Sequence, residues 1–276
     1  MKLLKLSMAI LALFSAVSCG SKKEEPKILV LYYSQTSNTK AVADEIATRL
    51  DADIEEIVAV NPYDGDFKAT IERCIQESEA GIAPAINPLK SNVEDYDIIF
   101  IGYPVWFGTF APPVSAFLSG VDLGGKKIVP FCTFGSGGLE SSSKDIAKMQ
   151  PKAEVLPGYG VRAARLGSMP QEVDQFLKAG GFLEGDYVHL ADFSEQHPVS
   201  EEESAIFDTA VSNYQMIHAQ AKTVATRPLP DGKEYLFIAV DLPIEDNPNM
   251  PPAGEMEVYV NVTNDAAPVF TRVNRK

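Results

Sequence analysis

The chain has 276 residues and a formal net charge of −14, and 45% of its residues are hydrophobic. This length and composition are typical of a globular protein with one or two domains and a sizeable core. The acidic balance argues against a nucleic-acid partner, because nucleic-acid phosphates would be repelled.

The first 18 residues have the features of a signal peptide. Basic Lys2 and Lys5 precede an apolar run at residues 8–17 that is too short to span a bilayer. The run ends in SAVSCG, which resembles a bacterial lipobox with Cys19 as the lipidated residue. An ordinary secretory cleavage site is the alternative. Residues 19–26 would then be a lipidated tether, and we expect a lipid anchor at the periplasmic or cell-surface face of a bacterial membrane.

A buried strand, a polar loop and a helix follow one another at the start of the folded part. Residues 28–33, ILVLYY, predict the strand, and apolar residues at helical spacing over 41–50 predict the helix. A helix N-terminus offers free N–H groups and a positive dipole end, so this loop is a candidate phosphate site. A structural turn capped by Ser37 or Asn38 is the alternative. The candidate phosphate-binding residues are Ser34, Thr36, Ser37, Asn38 and Thr39.

This loop lacks the two common nucleotide-binding signatures. It has neither the G-x-x-x-x-G-K-[ST] of triphosphate sites nor the G-x-G-x-x-G of dinucleotide sites. It also contains no Lys or Arg, so neutral donors would bind the anion. A hydroxyl-rich loop of this kind suits one terminal monophosphate.

Two further apolar strands end in loops that suit a ligand. Residues 97–102 run into YPVWFGT, which holds the only Trp, and residues 127–132 run into TFGSGG. Strand C-termini line the ligand crevice of an open α/β sheet. The candidate binding residues here are Pro104, Val105, Trp106, Phe107, Gly108, Thr133, Phe134, Gly135, Gly137 and Gly138.

Together these three loops resemble those of the flavodoxin family. The T-S-N-T at 36–39 resembles that family's T-x-T-G-x-T, with Ser37 where the family usually has Gly. Either Ser37 adopts a left-handed conformation or the loop geometry differs. The other two loops resemble those that sandwich the flavin ring in short-chain flavodoxin-like proteins. The resemblance implies FMN as cofactor and a doubly wound α/β domain over residues 27–180, with a five-stranded parallel sheet in the order 2-1-3-4-5.

The resemblance also implies roles for individual residues. Trp106 would stack on the isoalloxazine, and the backbone of residues 106–108 would reach N5. Phe134 would cover the other face or belong to the core. The glycines of the third loop would let N–H groups approach the pyrimidine edge.

The implied function is electron transfer at the outer face of a bacterial membrane, with a redox protein or a quinone as partner. The alternatives are a flavin-dependent quinone or NAD(P)H oxidoreductase, and a non-redox binding or assembly lipoprotein that has lost its flavin.

Cysteines and histidines indicate no other chemistry in this domain. Cys74 and Cys132 are expected to be buried free thiols, and no C-x-x-C is present. His189, His197 and His218 all lie beyond residue 180. We therefore predict no catalytic side chain and no metal site there, and the chemistry would be that of the cofactor.

Residues 181–276 predict a smaller α+β domain of unknown role. A helix is expected at 200–218, strands at 223–227, 234–240, 257–262 and 269–273, and a loop at 243–254. One helix followed by antiparallel strands resembles a cystatin-like module. A redox-partner docking surface and a structural cap are the alternatives for its role.

Overall fold

The computed structural model describes residues 25–63, 66–212, 214, 217–242, 254–264 and 266–275. The predicted signal peptide, Cys19 and most of the predicted 243–254 loop lie outside these residues. The first part of the chain contains, in order, β1 (Ile28–Tyr32), α1 (Asn38–Leu50), β2 (Asp53–Glu56), α2 (Phe67–Ala80), β3 (Ile98–Trp106), β4 (Thr109–Phe110), α3 (Pro112–Ser119), β5 (Lys127–Phe134), α4 (Leu139–Met149), β6 (Glu154–Val155), β7 (Tyr159–Arg162) and α5 (Met169–Ala179).

The main strands form a parallel sheet in the order β2-β1-β3-β5-β6, and β7 also pairs with β5. Since β6 and β7 follow one another along β5, they are one interrupted fifth strand. The order is therefore the 2-1-3-4-5 arrangement that the flavodoxin resemblance implies, and this prediction is confirmed. β4 forms a hairpin with the end of β3.

Both faces of this sheet are covered, as the apolar runs of its strands predict. Leu29 and Leu31 of β1 face one core, which also receives apolar residues of α2, α3 and α4. Val30 of β1 faces the opposite core, which α1 and α5 cover. The three loops predicted to bind a ligand follow β1, β3 and β5, so they lie together at the C-terminal end of the parallel strands.

The break in the fifth strand has a cause in the neighbouring strand. Leu156 donates its N–H to the carbonyl of Ile128, so Pro130, two residues further along β5, faces the same side without an N–H to offer. At Gly158 a Cβ would lie 2.4 Å from the Pro130 carbonyl oxygen. The backbone must bypass Pro130 closely there, and only glycine permits this.

The second part of the chain forms an antiparallel sheet in the order β12-β11-β10-β9-β8 with one helix, which we call the C-terminal module. Its elements are β8 (His197–Pro198), α6 (Glu201–Val211), β9 (Ala219–Leu229), β10 (Gly232–Asp241), β11 (Glu255–Thr263) and β12 (Val269–Arg275). Phe207 of α6 packs on Phe237 of β10 in a separate core. The predicted boundary at residue 180 falls directly after α5.

The helix predicted at residues 200–218 is shorter than expected. It begins after the capping box of Ser200 and Glu203 and ends at Val211. Beyond it, Tyr214 and Ile217 donate N–H groups in turns, and the His218 carbonyl accepts from Leu242. The helical spacing of Tyr214 was misleading because its ring packs on Phe270 of β12 rather than extending the helix.

Among the described residues, none of the helices combines the length and apolarity needed to cross a bilayer.

Candidate functional site

The loop between β1 and α1 presents free main-chain donors. Ser37 is the N-cap of α1 and has φ 63°, ψ −1°, so it adopts the left-handed conformation in a place where glycine is usual. The Lys40 N–H donates to Ser34 Oγ at 3.2 Å. Within the described part of the chain, the N–H groups of residues 37–39 have no acceptor, and such groups form an anion site.

Thr39 joins this loop to the third loop. Its side chain is buried, and its Oγ1 lies 2.9 Å from Thr133 Oγ1 at the end of β5. The hydroxyl of Thr39 therefore faces the sheet, and only its N–H remains available to a ligand. This bond connects the first turn of α1 to the end of β5.

The second loop is a tight hairpin between β3 and β4. Trp106 pairs with Thr109, and the two residues between them both have positive φ, 51° at Phe107 and 80° at Gly108. These angles are those of the two-residue turn that suits a hairpin, in which Asn-Gly is the preferred pair. A phenylalanine with positive φ is strained, and Phe107 is 68% exposed.

The N-terminal half of α4 fastens this hairpin. Ser141 donates its hydroxyl to the Gly108 carbonyl, and Thr109 donates to Asp145 Oδ2 at 3.0 Å. A hydrogen bond from Lys148 and the bond from Thr109 lower the pKa of Asp145. Beneath the turn, the buried Tyr103 hydroxyl donates to Ser142 Oγ. Hydrogen bonds from α4 thus hold the strained turn in place.

Trp106 belongs to an aromatic cluster. Its ring makes edge-to-face contacts with Tyr33 and Tyr63, at centroid distances of 5.9 and 5.3 Å. Burial raises the pKa of Tyr33 to about 12, so that phenol stays neutral. Tyr63 donates its hydroxyl to Glu77 and stacks under the Arg73 guanidinium, 3.7 Å from its centroid. These contacts fix the Trp106 ring from one side.

A groove of about 660 Å³ lies beside this hairpin, between α2 and α3. Trp106 and Phe107 form part of its wall, and Ile82 and Pro112 contribute further apolar surface. The phosphate loop does not line it. The groove therefore lies next to the candidate cofactor site and is separate from its anion-binding end.

In the third loop, residues 135–138, three of the four carbonyls accept hydrogen bonds, while the N–H groups are free. The carbonyl of Gly135 accepts from Arg162, that of Ser136 from Val273, and that of Gly138 from Ser142. No residue in the described ranges accepts a bond from the four N–H groups of this loop. The loop is therefore an array of donors. It touches the second loop at Gly138, where a Cβ would lie 2.5 Å from Val105.

The comparisons with known proteins agree with this geometry. A family model described as flavodoxin matches residues 27–168. The chain belongs to the flavodoxin family. The match ends before the C-terminal module, and no curated protein matches the chain.

Solved structures resemble the flavodoxin domain. A protein from Bacteroides eggerthii described as a flavoprotein is 28% identical with a TM-score of 0.50, over 56% of this chain and 98% of that one. One from Bacteroides uniformis is 25% identical with a TM-score of 0.48, over 54% and 98% of the two chains. A flavoprotein from Lactobacillus acidophilus, solved in complex with FMN, is 23% identical with a TM-score of 0.44, over 49% and 93%.

The flavodoxin domain brings all three predicted loops together at the C-terminal end of the parallel strands. Pro104 is in register with Thr133 on the neighbouring strand, and Val105 contacts the third loop. Phe134, unlike the loop residues around it, is not open to a ligand. It is 5% exposed and packs with the core, where its ring lies against Gly160. Its role at the flavin face stays a prediction.

Several residues that shape the site carry no sequence signal. Gln35 donates to the Tyr63 carbonyl and to Thr70 Oγ1, and so ties the first loop to α2. Ser141 and Arg162 hold the second and third loops. Because their partners lie 27 to 35 residues away in the chain, only the folded arrangement identifies them.

Thiols and metal ligands are the other side chains that could carry chemistry. Cys74 and Cys132 are both buried free thiols, as expected, and burial raises the pKa of each. In the ranges that the structure describes, no group of three or more His, Cys, Asp or Glu side chains is placed to hold a metal ion.

Proposed function

We propose that this chain binds FMN and transfers electrons through it. The observation that carries the proposal is a set of free N–H groups in two loops, residues 37–39 and 135–138. Both loops lie at the C-terminal end of the parallel strands. One end of FMN is a phosphate and the other a pyrimidine ring with acceptor oxygens. Membership of the flavodoxin family supports the same cofactor.

The phosphate would be held at the N-terminus of α1. The N–H groups of Ser37, Asn38 and Thr39 point out of the helix end, and its dipole favours an anion there. Ser34 and Thr36 carry hydroxyls on the same loop; Ser34 is partly exposed and Thr36 is exposed. Neutral donors are sufficient for one monophosphate in this position.

The ring would lie between the second and third loops. Trp106 supplies an aromatic wall already fixed by Tyr33 and Tyr63, and the third loop supplies donors for the pyrimidine edge. When bound, FMN supplies the redox chemistry, and the chain binds it, orients it and excludes water from one face.

An oxidoreductase acting on a quinone or on NAD(P)H is the second candidate. The apolar groove beside Trp106 and Phe107 favours the quinone as substrate, because a flat apolar acceptor would fit there next to the flavin. A carrier protein needs no such groove. Turnover of a soluble quinone with a chemical reductant would separate the enzyme from the carrier.

The proposed location is the outer face of a bacterial membrane, through a lipid on Cys19. The support is the sequence of the first 26 residues, with a basic start, a short apolar run and a lipobox-like SAVSCG. A redox protein or a quinone in that membrane would be the electron partner, since free NAD(P)H is scarce outside the cytoplasm.

FMN titration of the purified protein tests the proposal. Trp106 is the only Trp of the chain, so we expect stoichiometric quenching of its fluorescence, together with quenching of the flavin. A colourless protein that takes up no FMN would contradict the proposal and favour the non-redox lipoprotein.

Replacing Trp106 tests its stacking role. We expect Trp106→Ala to weaken FMN binding by about tenfold, because an aromatic contact is worth about 0.5–1.5 kcal/mol beyond its burial. Trp106→Phe is the matched control and should keep most of the affinity. Flavin fluorescence measures both variants, and unchanged affinity of Trp106→Ala would remove this residue from the site.

A further inference from the structure

The C-terminal module contacts the third cofactor loop through its edge strand β12. The N–H of Val273 donates to the carbonyl of Ser136 at 2.8 Å. A Cβ on Gly137 would lie 1.9 Å from the Val273 carbonyl oxygen. Gly137 does not have positive φ, so its backbone conformation does not require glycine. The close approach of β12 is what leaves no space for a side chain there.

Arg162 makes a second connection between the same two parts. Its Nε donates to the Gly135 carbonyl and its Nη1 to the Phe270 carbonyl, both at 2.8 Å. Its guanidinium also lies 4.2 Å from the centroid of the Phe270 ring. The end of β7 thus holds the loop with one nitrogen and the module with another.

A bulge in β12 makes both connections possible. The pairing of β11 with β12 shifts at Tyr259, which leaves Thr271 as the extra residue. Main-chain groups of a regular strand alternate between its two edges, so Phe270 and Val273, three residues apart, would face opposite edges. The bulge turns both residues toward the same outer edge of β12, where Phe270 meets Arg162 and Val273 meets the loop.

These contacts determine which groups of the loop remain available. Val273 and Arg162 occupy the carbonyls of Ser136 and Gly135, and the N–H groups of the loop stay free. A glycine-rich loop has many conformations in isolation. Held from the module side, it keeps its donors oriented before a ligand arrives, which lowers the ordering cost of binding.

We propose that the C-terminal module is part of the cofactor site, where β12 holds the 135–138 loop with its donors free, so that module docking and FMN binding strengthen each other. This inference rests on the proposed FMN function. Because such coupling is reciprocal, bound FMN should in turn stabilise the docked β12.

Two variants, made in the full chain, perturb the contact from opposite sides. Val273→Pro removes the donated N–H from the module, and Val273→Ala is its control, with the N–H kept and side-chain packing reduced. Gly137→Ala places a methyl group against the Val273 carbonyl. Gly167→Ala is its control, since a Cβ there has open space.

We expect Val273→Pro and Gly137→Ala to bind FMN about tenfold more weakly than their controls. Without FMN, hydrogen exchange over residues 269–275 should be faster in Gly137→Ala than in Gly167→Ala. Adding FMN should slow that exchange in the wild type, and less so in Gly137→Ala.

The outcomes separate this inference from the function on which it rests. If the wild type binds FMN and both variants match their controls in affinity, the module is not part of the site. Tighter binding in the variants would overturn the inference as well, since the module would then compete with the cofactor. If the wild type binds no FMN, the proposed function fails and the coupling fails with it.

Discussion

Ser37 departs from the family pattern in residue type but adopts the left-handed conformation that glycine favours. The flavodoxin pattern has Gly at this position, and Ser37 meets the same requirement by adopting φ 63°. A small polar residue tolerates the left-handed region at a cost of roughly 1 kcal/mol, whereas a β-branched residue does not. The proposed anion site would therefore come at some expense in stability.

Replacing Ser37 should reveal that strain. We expect Ser37→Gly to raise the free energy of unfolding of the apoprotein by about 0.5–1 kcal/mol and Ser37→Val to lower it by about 1–2 kcal/mol. Urea unfolding measures both. Ser78, exposed in α2, is the control, because Ser78→Gly should have the opposite sign in a helix. Equal signs at the two positions would argue against strain at Ser37.

The edge strand β2 shows how an element of mixed polarity is held to the sheet. Among the described strands it pairs with β1 alone. The Glu55 carboxylate also accepts from the N–H groups of Lys90 and Ser91, at 2.6 and 2.8 Å. Burial raises the pKa of Glu55, but these N–H groups outweigh it and the net pKa is lowered. For its neighbour Glu56, burial dominates and the pKa is raised.

The two carboxylates should therefore respond oppositely to pH. A lowered folded pKa means that Glu55 stabilises the fold above about pH 4.5 and that this contribution is lost as the pH falls through the folded pKa. We expect Glu55→Gln to destabilise the protein by about 1 kcal/mol at pH 7 and less at pH 3. Glu56→Gln is the control, and its stability relative to wild type should rise with pH. Chemical unfolding at several pH values measures both trends.

The molecule as a whole joins a flavodoxin domain to a module that the family model does not cover. The module is not a free appendage, because β12 and Arg162 connect it to the third loop. A protein tethered by eight residues to a membrane would keep such a composite site close to the lipid surface. The formal net charge of the full sequence is −14, and such an acidic protein would favour cationic partners over anionic ones.

The proposed anchor is tested by replacing Cys19. We expect wild-type protein in a bacterial host to partition with membranes and to incorporate a radiolabelled fatty acid, and Cys19→Ser to lose the label and the membrane association. Cys74→Ser is the control and should keep both, because Cys74 is buried in the flavodoxin domain. Labelling of Cys19→Ser would exclude this cysteine as the lipidated residue.

Much of the fold follows from local patterns. Apolar runs in β1, β3 and β5 and the helical spacing of α1 are local signals, and so are the polar and glycine-rich loops that follow the strands. Burial on both faces of a parallel sheet requires such runs, which is why these elements could be recognised one at a time. The order of the strands came from the family resemblance.

Long-range contacts account for what the sequence left open. The shorter α6 depends on a neighbour that is distant in the chain, because Tyr214 packs on Phe270 of β12. Gly137 is a second example. The sequence suggests that this glycine lets the backbone approach a ligand, whereas the structure shows that the Val273 carbonyl of β12 leaves no space for a side chain there. The spacing of apolar residues predicts which face of a helix or strand is buried. It does not predict which other element packs against that face, because those contacts form only when the chain folds.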